Sequence, residues 1–242
     1  MAIDVKPFLP RTSGKRFIVP PTVRSDFENY LNTDVPDVNF TFTGYENWYD
    51  QDAEEKRHSF RGEMFPINWK SKYAGSDNTS NLRVLPGTII QKGDMLRRED
   101  GEVFLVVWNV ETQVNSKKTQ IQICNADIAF ERNTDDVLDE NFHIVEKAGR
   151  KPIAESIPCL ASFVVNKFEY AQTYNTPGIV PNDVMCIYLQ FNEKTDQIIP
   201  GDVFLYDGVQ RRVVSRNIAE VDRAGEHGLL TLYAEKVAGE GI

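Results

Sequence analysis

Three histidines (His58, His143 and His227) and three cysteines (Cys124, Cys159 and Cys186) are the side chains of this 242-residue chain best suited to nucleophilic, acid–base or metal chemistry. Their spacing builds none of the familiar short arrangements. There is no H-E-x-x-H for a zinc protease and no C-x-x-C pair for a structural zinc. A Cys–His nucleophilic pair is set by space rather than by spacing, so it stays open. Each cysteine, however, lies in an apolar run such as I-Q-I-C or V-M-C-I-Y-L, the context of a buried reduced thiol. Thr12-Ser13-Gly14-Lys15-Arg16 resembles a phosphate loop only in part. It lacks the first Gly, Arg16 replaces the hydroxyl that would hold magnesium, and Pro20 stops the helix that should follow. Asp139 and His143 stand four apart and read as a surface ion pair of small value. Among 36 acidic residues no spacing singles out a glycosidase pair. Asp94 and Asp202 each follow a Gly and precede an apolar run, which fits a side chain bonded to nearby backbone amides. Neither belongs to the D-x-D-x-D-G ladder that calcium needs. The expectation is a protein without catalytic activity, cofactor or metal.

The elements that carry those two aspartates repeat. Ile89 to Gly101 reads I-I-Q-K-G-D-M-L-R-R-E-D-G, and Ile198 to Gly208 reads I-I-P-G-D-V-F-L-Y-D-G. Gly93 and Gly201 are 108 residues apart, and so are Asn109 and Asn217, which follow the next apolar run in each copy. An apolar strand closes each unit, Thr119 to Cys124 and Leu229 to Ala234. Self-similarity at a long fixed period points to two related modules. The competing reading is two unrelated hairpins that share a turn type. Gly93, Asp94, Asp100, Gly101, Gly201, Asp202, Asp207 and Gly208 are the structural turn residues on either reading, with the glycines free to take positive φ.

The fold class expected is mainly β: two related small β-barrel or β-sandwich modules, one or two short helices and an extended N-terminal arm. Residues 1–22 form the arm, with four prolines that oppose helix and central strand. Its Phe8, Leu9, Phe17 and Ile18 suit an interface; terminal disorder is the competing reading. Residues 23–81 form an irregular, aromatic-rich segment packing on the first module, with a capping box at Ser25–Glu28 that opens a helix through about Leu31. The first module spans 82–130 and the second 156–242. A helical linker covers 131–155, its helix at 134–147 capped by Thr134. The run Val103 to Trp108 is continuously apolar, as in a strand covered on both faces.

Composition is that of an ordinary globular chain, 41% hydrophobic and 26% charged. The formal net charge of −9 and the short basic pairs, Lys15-Arg16, Arg97-Arg98, Lys117-Lys118 and Arg211-Arg212, argue against sequence-specific nucleic-acid binding. No apolar run is long enough for a membrane span, and the N-terminus lacks a signal-peptide core.

The lines P-G-T-I-I-Q-K-G-D-M-L-R-R-E-D-G-E-V-F-L-V and D-Q-I-I-P-G-D-V-F-L-Y-D-G-V-Q-R-R-V-V resemble a stretch of head-closure, neck and tail-proximal proteins of tailed bacteriophages. In that group a "hydrophobic-x-GD-hydrophobic…G-x-x-Y-x-V" stretch forms adjacent strands of a small barrel. The resemblance implies a structural virion protein, made in the host cytoplasm, that forms a homo-oligomeric ring in the head–tail connector. Its neighbours would be portal, adaptor or tail proteins, and DNA would pass through the channel. The alternative is a carbohydrate- or protein-binding module of a baseplate or tail fibre, in which Tyr45, Trp48 and Tyr49 would form an aromatic platform.

Overall fold

A computed structural model describes residues 21–32, 38–54, 57–66, 79–135, 137–138, 144–146, 148–163, 184–222 and 227–237. Residues 1–20, including Phe8, Leu9, Phe17 and Ile18, lie outside these, as do Asp139, His143 and the 12–16 segment. Helix α1 runs Pro21–Asn32. It starts four residues before the expected cap, because Pro is well placed in a first helical turn. Phe27 and Leu31, one turn apart, are buried, and α1 packs on β2 (Arg57–Pro66).

The chain builds two closed six-stranded barrels. The first contains β1 (Asn39–Tyr45), β2, β3 (Thr79–Val84), β4 (Met95–Arg98), β5 (Val103–Val106) and β7 (Lys117–Ile123), with the short β6 (Glu111–Thr112) flanking β7. Its order is β3-β2-β1-β4-β5-β7, and β3 pairs β7 to close it. The second contains β8 (Ala126–Thr134), β11 (Gly149–Ser162), β12 (Met185–Phe191), β13 (Val203–Tyr206), β14 (Val209–Val221) and β15 (Gly228–Lys236), ordered β11-β12-β15-β14-β13-β8. Numbered within each barrel in chain order, both run 1-2-3-6-5-4, and every neighbouring pair is antiparallel. Two modules with one topology make shared turn chemistry alone an insufficient account of the repeat.

Two expected boundaries move. Strands β1, β2 and the first half of β3 come from the segment read as irregular, so the first barrel begins near Asn39. The alternating F-T-F-T run of β1 is the signal for this. The expected helical linker is β-structure: β8 and β11 pair from Gly149 opposite Thr134, and β9 (Val137–Leu138) and β10 (Ile144–Glu146) form a small hairpin between them. A 14-residue helix would hold its ends about 20 Å apart, whereas the Thr134–Gly149 pairing brings the ends of this segment together. Strand closure overrides the capping and dipole signals.

Val103 to Val107 is covered on both faces, for a reason visible in the cores. Phe104 and Val106 point into the first barrel with Phe42, Leu82, Leu96 and Ile121. Leu105 and Val107 point outward and join a second core with Tyr45, Trp48 and Met95. That core continues into the second barrel through Phe130, Ile157, Leu189 and Leu230. The first barrel thus keeps an interior core of its own, while its outer face and the second barrel share another. Trp108, at the end of the run, is exposed.

Candidate functional site

The two Gly-Asp turns are built alike. Gly93 and Gly201 have φ of 95° and 103°, a region that disfavours residues with a Cβ. The Gly93 amide donates to Val106 O at 2.9 Å, and the Val106 amide donates back to Asp94 O at 2.9 Å. In the second barrel the same pair of bonds links Gly201 and Asp202 to Val213, each at 2.8 Å. Asp94 Oδ2 accepts from the Gln91 amide at 2.7 Å, and Asp202 Oδ2 accepts from the Ile199 amide at 2.8 Å. Each aspartate thus holds its own turn.

The hairpins that follow differ by one residue. The first has a three-residue loop between Arg98 and Glu102 that ends on Gly101 (φ 95°). The second is a two-residue turn, Asp207 (φ 49°) and Gly208 (φ 74°), between Tyr206 and Val209. The period is therefore 108 before the hairpin and 107 after it. Val106 matches Val213, and the register shift between Val213 and Ser215 then adds one residue to β14 ahead of Asn217.

Each aspartate spends its second oxygen differently. Asp202 is fully buried and takes Arg132 of β8 on both oxygens, Nε to Oδ1 at 2.7 Å and Nη2 to Oδ2 at 3.0 Å. This pairing raises the Arg132 pKa. Asp94 instead faces the other barrel: its Oδ1 lies 3.0 Å from Nε2 of His227, which immediately precedes β15.

That contact is one of several across the junction. Gln190 of β12 is wholly buried. Its Oε1 accepts from the Trp48 amide at 2.7 Å, and its Nε2 donates to the carbonyls of Tyr45 and Gly93, both at 3.1 Å. One side chain of the second barrel thus satisfies three backbone groups of the first. Gly93 meets Gly228 (φ 142°) so closely that a Cβ on Gly93 would overlap the Gly228 carbonyl. Lys92 Nζ pairs with Glu220 at 2.9 Å, and Tyr49 Oη donates to Glu155 O at 2.8 Å. Beside the junction opens a cleft of about 720 Å³ whose lining includes Glu46, Asp50, Glu193, Asp196, Lys194 and His227. Glu46 Oε1 lies 3.1 Å from His58 Nε2, and Asp196 takes Arg216.

The other chemical candidates stay apart. Burial raises the pKa of Cys124 and Cys159, which keeps both thiols protonated and poor as nucleophiles. Among the described residues no group of three His, Cys, Asp or Glu is placed to hold a metal. Tyr45 and Trp48 are 4% and 7% exposed and lie in the junction core, so they offer no open face to a sugar. Three basic pairs are not simply solvated. Arg97 stacks over Tyr45 and Trp48, Arg98 over Phe40 and Phe104, and Arg211 over Phe163. Lys117 donates to Thr88 O and Lys118 lies over Phe65.

Gln190 and Gly228 are junction residues that the sequence reading passed over, and His227 was singled out there with no partner assigned. Gln190 had a signal: it is the lone amide in the apolar run M-C-I-Y-L-Q-F, and a polar side chain in a buried strand needs partners. No family model, curated protein or solved structure matches the chain.

Proposed function

We propose that this protein is a ring-forming structural component of a tailed-bacteriophage virion, in the head–tail connector around the DNA channel. The observation that carries the reading is the duplicated barrel. Two copies of one topology each carry, just before the fourth strand, a Gly-Asp turn that resembles one of neck and head-closure proteins, and the outer face of the first packs into the core of the second. A block of two closed barrels without long open strand edges can be stacked side by side with little rearrangement. Repeated head-to-tail contact between such blocks closes into a ring when the rotation allows it. The acidic balance fits a channel past which DNA slides without being held.

In this reading portal, adaptor or tail proteins lie above and below, and the acids of the barrel loops face the lumen. Of the three aromatic side chains that would have favoured carbohydrate binding, Tyr45 and Trp48 are enclosed and only Tyr49 reaches the cleft, so no platform forms and the connector reading is preferred over a fibre or baseplate module. Mass spectrometry of purified virions tests it. The protein is expected at a stoichiometry of one ring per particle; its absence from particles overturns the reading.

A further inference from the structure

Asp94 and His227 are 3% and 9% exposed, belong to different barrels and approach to 3.0 Å, yet neither Asp94 Oδ1 nor His227 Nε2 makes an aligned hydrogen bond. Both atoms are cut off from solvent. Directly beside them the Gly93 and Gly228 backbones touch. We propose that Asp94 and His227 form a proton-dependent clasp between the barrels, closed while the pair holds an ionising proton and weakened once that proton has left.

Histidine changes charge nearer to neutrality than any other unperturbed side chain. With a proton shared between carboxylate and imidazole, the buried pair is charge-balanced. Without it, a carboxylate stands in a dry junction, and an uncompensated buried charge is strongly unfavourable. Burial raises the Asp94 pKa, Glu46 adds to this, and His227 and the Gln91 amide oppose it. A raised folded-state pKa means that the contribution to stability is present at low pH and lost as pH rises through that value.

The charged surroundings do not supply a substitute cation. On the cleft side stand Glu46, beside His58, Asp50, Glu193 and Asp196, which already takes Arg216, with Lys194 among them. On the other side are Asp222, whose Oδ1 faces the His227 amide at 3.4 Å, and Lys92, already paired with Glu220. Loss of the proton therefore leaves net negative charge at the junction, and the two Gly–Gly backbones are the first contacts to loosen.

The test is a double-mutant cycle on the full chain with Asp94→Asn, His227→Gln and the double variant, unfolded in denaturant at about pH 5.5 and pH 8.5. The expected coupling between the two positions is about tenfold in the unfolding equilibrium constant at the lower pH. At the higher pH the coupling should be near unity. Coupling that is absent at both values, or equal at both, overturns the clasp. If a single variant fails to fold, hydrogen exchange in the wild-type chain decides. After correction for intrinsic rates, the Gly93 and Asp94 amides should lose protection at the higher pH while the Gly201 and Asp202 amides do not. Equal behaviour of the two turns overturns it.

Discussion

Gly93 and Gly228 meet backbone to backbone where the two barrels join, both at positive φ, with no room for a side chain on either. Gly93 is also the residue that opens the first Gly-Asp turn, so the turn that repeats in each barrel is, in the first, part of the weld between them. Its counterpart Gly201 has open space around it. Both barrels carry the turn, and the junction uses only the first copy.

Glycine substitutions separate these two roles. Gly101→Ala places a Cβ in open space and carries only the backbone cost of positive φ, about 1–2 kcal/mol. Gly208→Val, at a two-residue hairpin turn, is expected to cost roughly 1–3 kcal/mol. Gly93→Ala adds a collision with the Gly228 carbonyl and should exceed about 3 kcal/mol. Denaturant midpoints measured side by side check the ranking; a Gly93→Ala no worse than Gly101→Ala would show that the junction can slide.

Gln190→Leu keeps the volume roughly constant but removes the partners of the Trp48 amide and the Tyr45 and Gly93 carbonyls. Buried backbone groups left unpaired cost about 1–3 kcal/mol each, with partial relief by relaxation. The expected loss is about 3 kcal/mol in chemical denaturation. A neutral or stabilising outcome would mean that these three groups find other partners.

Arg132→Met leaves the buried Asp202 carboxylate without its cation. Because the Arg132 side chain is 36% exposed, the cost should lie at the lower end for a broken buried pair, about 2–3 kcal/mol. Adding Asp202→Asn should recover part of it. Unfolding free energies of the two single variants and the double variant check this, and strict additivity would count against the pairing.

Deleting residues 2–20 should leave the two barrels folded, since every barrel strand begins at Asn39 or later. If Phe8, Leu9, Phe17 and Ile18 dock on a neighbouring subunit, the deletion weakens assembly. Circular dichroism and sedimentation of the deletion variant check both halves. Loss of the fold would place the arm in the core, and unimpaired assembly would remove it from the interface.

The second copy of the Gly-Asp turn made the barrel pair legible, because glycine at positive φ and an amide-binding aspartate leave a compact local signature. The apolar run at Val103–Val107 announced a strand covered on both faces without saying by what; the cover is the second barrel. The segment 134–147 misled because Thr134 and the acids after it satisfy helix-start chemistry, while the requirement that β8 and β11 pair is non-local and leaves no mark in a short window. Gln190 and His227 act across 97 and 133 residues of chain from Gly93 and Asp94 respectively, beyond the reach of any spacing rule. The second hairpin is one residue shorter than the first, and a bulge after Val213 adds one residue back to β14.

Electron microscopy of the purified full chain in negative stain, with sedimentation velocity on the same sample, tests the ring most directly. The account predicts closed rings of uniform diameter with a central opening, in exchange with smaller species as concentration falls. Compact monomers at every concentration, or open filaments without closure, would contradict it.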